Sequence, residues 1–211
     1  MRQYDHPKKS LAHYSKGTTD VEYQFPFGWG ELTGLANRTD FDLSNHQNSS
    51  GQDLKYLDPE TNEKFLPFVI EPTLGIERLV MAVLFDAYEK MGEKGEEGDK
   101  NREEGEVVLR LNPKLAPVKA AVLPLVKKGG LAEKAKEIYQ DLKKNWFVDF
   151  DESGSIGRRY RRQDEIGTPW CVTVDFQTLE DQKVTIRDRD TMKQERIKIE
   201  KISDFLLEKL G

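Results

Sequence analysis

A carboxylate and a guanidinium seven residues apart enclose a turn that is suited to phosphate chemistry. Glu71 opens this segment, Arg78 closes it, and Pro72, Thr73, Leu74, Gly75, Ile76 and Glu77 lie between them. The apolar residues before Glu71 predict a strand, and the apolar period after Gly75 predicts a helix. The first turn of a helix attracts anions, Gly75 allows close approach, and Arg78 offers a planar set of donors.

The same pattern also has a reading without any ligand. Turns of the type Glu-Pro-x-x-Gly precede amphipathic helices in many folds, and an arginine in a first helical turn is often a solvated partner of a neighbour such as Glu77. Two interpretations of residues 71–78 are therefore open: the segment binds a ligand, or Arg78 forms only a surface ion pair.

A second candidate group lies on the segment Gly28 to Ala36, which alternates as a strand does. This alternation places Trp29, Glu31 and Thr33 on one face. Glycines inside a strand mark a bulge or the close approach of another group. Glu31 is then either an exposed edge residue or a carboxylate that points into a site.

The elements that position these groups follow from the apolar pattern. A hairpin over residues 54–66 returns into a strand that enters Glu71, and the continuous apolar residues of this strand predict burial on both faces. The following helix carries a broad apolar stripe from Ile76 to Met91, so we expect it to pack on a sheet as part of the core.

Composition limits the class of protein. The 211 residues have a net charge of −5, a mean hydropathy of −0.72, and 34% charged residues, as expected of a charged globular protein with one or two domains. No apolar run is long enough to span a bilayer, residues 1–7 do not read as a signal peptide, and no membrane partner is expected. The negative charge argues against nucleic-acid binding through the overall field but leaves a local basic surface open.

Cysteine and histidine usage adds two expectations. Cys171 is the only cysteine, which excludes an internal disulfide and suits the reducing cytoplasm; its apolar surroundings predict a buried, inert thiol. The three histidines have no ligand spacing, so no structural metal is expected.

The second half of the chain has its own organisation. Residues 92–105 are charged and rich in glycine, which predicts a linker between residues 1–91 and a domain at 106–211. Strands and helices alternate from Val107 onward and predict a compact α/β layer with a mixed sheet. One predicted helix is capped by Ser155 and ends at Gly167.

Several long strings resemble those of a known family. They are residues 25–32 (FPFGWGEL), 36–43 (ANRTDFDL), 69–78 (VIEPTLGIER), 115–119 (LAPVK), 155–169 (SIGRRYRRQDEIGTP) and 184–191 (VTIRDRDT). In this order they resemble the C-terminal part of the dimeric-type glycyl-tRNA synthetases, which are class II aminoacyl-tRNA synthetases. The resemblance covers nearly the whole chain.

This resemblance implies a fold of the α/β (α+β) class. Residues 1–91 would hold the last strands of an antiparallel class II catalytic sheet with its third signature motif. Residues 106–211 would form a class IIa anticodon-binding domain with a mixed five-stranded sheet. The first and second motifs, which supply most of the dimer interface and an arginine for the α-phosphate, have no counterpart here. The full-length enzyme would be a homodimer, and this chain alone would be incomplete and inactive or weak.

The resemblance also implies a reaction and its residues. A glycine–tRNA ligase forms glycyl-adenylate from glycine and ATP with Mg²⁺ and transfers the glycyl group to tRNA-Gly. Arg78 and Glu71 would be catalytic. ATP would contact Glu31, Leu32, Gly75, Ile76, Glu77 and Arg78, with Mg²⁺ at Glu31. Glycine would contact Glu71, Pro72, Thr73, Leu74 and Gly75.

For the tRNA anticodon, the residues implied are Arg158, Tyr160, Arg161, Arg162, Arg187 and Arg189, beside Arg159. Arginine binds phosphates and stacks on bases, and tyrosine offers a ring face. Nearby aspartates could instead neutralise these arginines in surface networks. Two other functions stay open: a tRNA-binding module without catalysis, and a fragment that needs a complementary chain.

Overall fold

The computed structural model describes residues 1–91 and 105–211, which form two compact units, Met1–Phe85 and Asp86–Gly211. The predicted linker, residues 92–105, lies outside the described residues except for Gly105. The predicted mixed α/β class is confirmed, because antiparallel and mixed sheets occur together with six α-helices in the described chain.

The first unit is built on a four-stranded antiparallel sheet. Its strands are β1 (Arg2–Asp5), β2 (Gly17–Phe25), β3 (Gly28–Asn37) and β6 (Ile70–Leu74), in that spatial order; a small hairpin of β4 (Tyr56–Leu57) and β5 (Lys64–Phe65), helix α1 (Phe41–Ser50) and helix α2 (Ile76–Ala87) complete the set. A small core forms where Phe25 and Leu32 pack against Ala82 of α2.

The strand register places three residues side by side across the sheet. Asp20 of β2 pairs with Gly34 of β3, and Gly34 pairs with Thr73 of β6. A bulge lies next to this row. Glu22 lies two residues after Asp20 on β2, but its partner Glu31 lies three residues before Gly34 on β3. The bulge brings Glu31 to the face of Gly34. The predicted alternation, with Glu31 and Thr33 on one face, is therefore wrong at this point.

Two burial predictions for this unit are also wrong. The strand that contains Glu71 was expected to be buried on both faces, but β6 is an edge strand, and Ile70 and Leu74 are exposed. Helix α2 was expected to place its apolar stripe in the core up to Met91. It ends at Ala87, and Ile76, Val80 and Leu84 are exposed along one side.

The second unit contains a five-stranded mixed sheet in the order β10-β9-β11-β12-β13. These strands are β9 (Ala120–Pro124), β10 (Val148–Phe150), β11 (Trp170–Val174), β12 (Lys183–Asp188) and β13 (Gln194–Lys198); β7 (Tyr88–Lys90) and β8 (Val107–Leu109) form a separate pair. The helices are α3 (Leu131–Leu142), α4 (Ile156–Ile166), α5 (Phe176–Asp181) and α6 (Ile202–Leu210). The number of strands in this sheet agrees with the prediction, but the strand at Val107 lies outside it, and β13 is one of its five strands.

Alternation along the buried strands separates two cores. Ala120, Val122, Val172 and Val174 face a large core with residues of α3 and α6, whereas Ala121, Leu123 and Cys171 face Ile156 and Tyr160 of α4. Because successive side chains of a strand point to opposite faces, α3 and α6 cover one face of the sheet and α4 covers the other. Ser155 caps α4 and Gly167 ends it, as predicted.

Buried arginines tie α4 to the sheet. Arg187 of β12 donates two hydrogen bonds to Asp164 of α4, at 2.9 and 3.0 Å, and both side chains are at most 4% exposed. Burial lowers the pKa of Arg187, but the hydrogen bonds and charge of Asp164 outweigh it and leave that pKa above its ordinary value. The pair thus stays charged inside the fold.

We predict that Asp164→Asn destabilises the protein by about 3–5 kcal/mol, since it leaves a buried guanidinium without its counter-charge. Chemical denaturation followed by circular dichroism measures this loss. Asp204→Asn is the matched control, because Asp204 pairs with Lys201 on the surface of the same unit. Equal unfolding midpoints for the two variants would contradict the structural role of the Asp164–Arg187 pair.

Candidate functional site

A cavity of about 320 Å³ opens on one face of the sheet in the first unit. Its walls carry His6, Ser10, Ala12, Tyr14, Thr18, Asp20, Glu31, Gly34, Leu35, Ala36, Glu71 and Thr73. Three residues singled out in the sequence, Glu31, Glu71 and Thr73, thus share one cavity.

Gly34 forms the floor between three oxygen atoms. A Cβ atom at this position would lie 3.1 Å from Asp20 Oδ1, 3.1 Å from Thr73 Oγ1 and 3.3 Å from Glu31 Oε1. A side chain at residue 34 would therefore crowd three oxygen atoms from three strands, and glycine at this position lets Asp20, Thr73 and Glu31 approach one another on this face of the sheet.

Glu71 is held by a cation. Arg38 Nη1 donates to Glu71 Oε2 at 2.7 Å, and the same guanidinium donates to both carboxylate oxygens of Asp42 at 2.6 and 3.0 Å. The guanidinium also lies 4.0 Å from the ring centroid of Tyr14. Hydrogen bonds to Asp42 and Glu71 raise the pKa of Arg38 above its ordinary value, so Arg38 stays positively charged. This cation fixes the orientation of the Glu71 carboxylate.

Arg78 lies beside this cavity and is not part of its wall. Its Nη1 donates to the backbone oxygen of Glu31 at 3.0 Å and lies 4.0 Å from Glu31 Oε2. The Arg78 side chain is half-exposed. Glu31, which lines the cavity together with Glu71, also contacts Arg78.

The remaining predicted residues lie around the start of α2. Gly75 N–H donates to Leu32 O at 3.0 Å, which joins the helix start to β3. The side chain of Leu32 is buried in the small core, whereas Ile76 and Glu77 are exposed. Pro72 and Leu74 lie on the exposed edge strand.

The basic residues of the second unit divide into two sets. Arg187 and Arg189 are buried, and Arg189 donates to the backbone oxygens of Gly167 and Leu111. Arg159 is also buried and donates to backbone oxygens, among them that of Gly154 at 3.0 Å. These guanidinium groups support the fold from within.

The other set lies on the outer side of α4. Arg158, Arg161 and Arg162 are exposed. Arg161 pairs with Glu106 at 2.5 Å, and Arg162 pairs with Asp151 at 2.5 Å. These two pairs keep the arginines ordered and partly neutralised at the surface.

A second concavity, of about 210 Å³, adjoins this basic surface. It is lined by Glu106, Gly157, Tyr160, Arg161, Asp164, Arg187, Met192 and Gln194. The hydroxyl of Tyr160 lies 2.6 Å from Thr173 Oγ1, and the Arg187 guanidinium lies 4.8 Å from the Tyr160 ring centroid. The tyrosine ring is therefore fixed in place with one face covered by Arg187.

Asp20 and His6 of the cavity wall, and Arg38 beside it, were absent from the sequence-based site. No motif singles out Asp20 or His6, and only the long-range register shows that Asp20 lies beside Gly34. Arg38 offered a weak signal, because its partner Asp42 lies four residues on, which is the spacing of neighbours on a helix.

Two kinds of feature are absent from the described ranges, 1–91 and 105–211. No group of three or more His, Cys, Asp or Glu side chains there is arranged to hold a metal ion. No helix in the same ranges has the length and apolar character needed to cross a membrane.

Comparison with known proteins supplies the deciding observation. Residues 119–209 match the family model described as an anticodon binding domain. The whole chain aligns with the glycine–tRNA ligase of Thermobifida fusca at 55% identity, and 98% of it aligns with that of Clostridium beijerinckii at 58% identity. This chain is a glycyl-tRNA synthetase relative that matches the C-terminal portion of the family. The resemblance seen in the sequence is thereby confirmed.

The match covers only part of the glycyl-tRNA synthetases. The chain spans 46% of the length of the Thermobifida fusca relative, 42% of that of Clostridium beijerinckii and 44% of that of Staphylococcus haemolyticus, to which it is 57% identical. The chain therefore spans less than half the length of these curated relatives.

We predict that Cys171 does not react with Ellman's reagent in the native protein. The thiol is 1% exposed, and burial raises its pKa well above the ordinary range, so the reactive thiolate is scarce. Absorbance at 412 nm measures the reaction. The chain holds one cysteine, so denaturant should release one equivalent. Equally fast reaction of the native and denatured protein would contradict the burial of Cys171.

Proposed function

We propose that this chain takes part in glycine–tRNA ligation, with part of the ATP and glycine site in the first unit and tRNA-Gly recognition in the second. The observation that carries the proposal is the identity of 55–58% to glycine–tRNA ligases along nearly all of the chain. The cavity that gathers Glu31, Glu71 and Thr73 supports it.

The proposed reaction has two steps. The glycine carboxylate attacks the α-phosphorus of ATP, and pyrophosphate leaves with the bond electrons. The terminal ribose hydroxyl of tRNA-Gly then attacks the glycyl carbonyl, and AMP leaves. In both steps negative charge lies on phosphate oxygens, so cations and oriented N–H groups stabilise the transition state.

The residues of the first unit have matching roles. Arg78, with its exposed guanidinium at the start of α2, binds the outer phosphates of ATP, and the backbone from Gly75 to Glu77 faces the nucleotide. Glu31 is half-exposed next to Arg78, which suits a carboxylate that shares Mg²⁺ with the nucleotide. Glu71, oriented by Arg38, and Thr73 contribute to the glycine side of the cavity.

We predict that Arg78→Ala weakens binding of Mg²⁺–ATP to this chain about tenfold or more, because it removes a charge-assisted contact to phosphate. Equilibrium dialysis with labelled ATP measures the affinity. Lys55→Ala removes an equal charge from an exposed position of the same unit and should leave the affinity unchanged. If Arg78→Ala binds ATP as the wild type does, Arg78 has no role in the nucleotide site.

For tRNA, the proposed surface is the outer side of α4 together with the adjoining concavity. Arg158, Arg161 and Arg162 supply phosphate contacts. The concavity beside Tyr160 and Gln194 offers space for an unstacked base. The buried Arg187 and Arg189 support this surface by holding α4 and the strand ends in place.

We predict that Arg158→Ala lowers the affinity for a tRNA-Gly transcript and reduces the slope of log affinity against log salt by about 1, as expected for the loss of one phosphate contact. Filter binding over a salt series measures both quantities. Lys143→Ala is the control, because Lys143 is exposed just after the C-terminal end of α3, and α3 covers the opposite face of the sheet from α4. The same loss in both variants would indicate a general charge effect and contradict the α4 surface.

A second candidate function is that of a non-catalytic tRNA-binding module, or of a fragment that needs a complementary chain. The length of the curated relatives favours it, and so do the exposed apolar residues of β6 and α2. Glycine-dependent exchange between ATP and pyrophosphate separates the cases. Exchange by the chain alone supports the ligase. Exchange only after addition of the complementary half of a relative supports the fragment. Binding of tRNA-Gly with no exchange in either mixture supports the module.

A further inference from the structure

The concavity beside Tyr160 is lined by two ion pairs that differ in burial. Asp164 and Arg187 form one pair inside the fold, where both side chains are buried. Glu106 and Arg161 form the other, with Arg161 Nε 2.5 Å from Glu106 Oε1. The Arg161 side chain is 45% exposed and that of Glu106 is 15% exposed. The second pair is therefore the one that a ligand from solvent can reach.

These pairs balance the charge of the concavity. Its charged lining residues are two acids and two arginines, so their formal charges sum to zero. A polyanion such as tRNA is attracted by positive charge that is not already compensated. Arg161 offers little of this charge while Glu106 lies against its guanidinium, because a carboxylate oxygen then occupies the position that a phosphate oxygen would take. Glu106 thus competes with phosphate for one arginine.

The backbone around Glu106 is fixed, so its side chain can move by itself. The backbone oxygen of Glu106 accepts a hydrogen bond from Met91 N–H at 2.9 Å, and the next residue begins β8, which pairs with β7. On the other side, Gly105 N–H donates to Met91 O at 2.9 Å. Rotation about side-chain bonds is therefore enough to carry the Glu106 carboxylate away from Arg161.

The neighbouring Arg162 is held by a different arrangement. Its guanidinium donates two hydrogen bonds to Asp151 Oδ2, at 2.5 and 2.9 Å, and one to the backbone oxygen of Ser153 at 2.6 Å. These bonds fix the loop between β10 and α4. Their loss would loosen this loop, so Arg162 is less suited than Arg161 to exchange its carboxylate for a phosphate.

We propose that Glu106 is an autoinhibitory residue: its carboxylate blocks Arg161 in the free protein, and a phosphate of tRNA replaces it on binding. The proposal rests on the proposed function of the α4 surface and adds a regulation of that surface. A phosphate that contacts Arg161 must first displace Glu106, so RNA that makes few other contacts is bound weakly. The pair therefore favours RNA that fits the whole surface.

Glu106→Gln tests the proposal in filter binding of a tRNA-Gly transcript over a salt series. The amide keeps the shape of the side chain and removes its charge, so we expect the affinity to rise about two- to fivefold, as the strength of an exposed ion pair predicts. The slope of log affinity against log salt should become steeper by about 1, because Arg161 then binds a phosphate without releasing a carboxylate. Glu208→Gln is the control and should change neither quantity, because Glu208 is exposed on α6, which covers the opposite face of the sheet from α4.

Two further variants separate this competition from a general effect of charge. Glu106→Asp retains the negative charge and withdraws the carboxylate by one methylene group, so it should also raise the affinity for tRNA-Gly. In an Arg161→Ala background, Glu106→Gln should lose most of its effect, since the arginine for which carboxylate and phosphate compete is absent.

The wild type supplies a test that needs no variant of Glu106. Arg161 Nε contacts Glu106 in the free protein, so the ¹⁵Nε–H NMR signal of Arg161 reports this contact. We expect that signal to shift when tRNA-Gly saturates the protein, whereas the signal of the buried Arg187 should stay in place. An unchanged Arg161 signal in the saturated complex would overturn the proposal.

The binding results separate the proposal from the function on which it rests. Unchanged or lower tRNA affinity of both Glu106→Gln and Glu106→Asp, with circular dichroism showing both folded, would assign the ion pair to the fold alone and leave the proposed function standing. An equal rise for Glu106→Gln and Glu208→Gln would also overturn the proposal. If neither the wild type nor Glu106→Gln binds tRNA-Gly, the proposed function of the second unit is wrong, and the proposal is wrong with it.

Discussion

The pairing of β2, β3 and β6 is the constraint on which the candidate site depends. A row of Asp20, Gly34 and Thr73 across three strands places two polar side chains on either side of a residue that has none. One bulge then brings Glu31 onto the same face. A shift of one residue in this register would send each of these side chains to the opposite face, so the site is specified by pairing as much as by residue type. Arg38 contacts both Asp42 of α1 and Glu71 of β6, so it joins these two elements. This connection stabilises the position of β6 beside β3.

In the second unit, helix α4 carries four arginines. The helical period decides which of their side chains reach solvent. Ile156, Arg159, Tyr160 and Gln163 follow the spacing of one helix face and turn toward the sheet, while the other three arginines turn outward. A dense basic sequence therefore yields one arginine that bonds to buried carbonyl groups and three that remain at the surface.

Elements with strong local signals were predictable from the sequence. The cap at Ser155 and the end at Gly167 agree with prediction, because capping residues act within a few residues. Features that depend on distant partners were not predictable in this way. The edge position of β6, the bulge opposite Glu22 and the place of β13 in the sheet depend on strands far apart in the chain. For the same reason Glu31, Glu71 and Thr73 were found from their motifs, whereas Asp20 and His6 were not.

Pro72 has a consequence for how the protein behaves in solution. Gly75 N–H donates to Leu32 O, so Gly75 and Leu32 form a hydrogen-bonded pair. Such pairs alternate with non-hydrogen-bonded pairs along antiparallel strands, which makes Pro72 and Leu35 a non-hydrogen-bonded pair. The backbone nitrogen of Pro72 therefore faces away from β3. On the outer border of the sheet, the middle residue of a five-residue strand thus offers no donor to a foreign strand. The apolar neighbours Ile70 and Leu74 attract other chains there, and the proline limits how far such contacts can grow into fibrous aggregates.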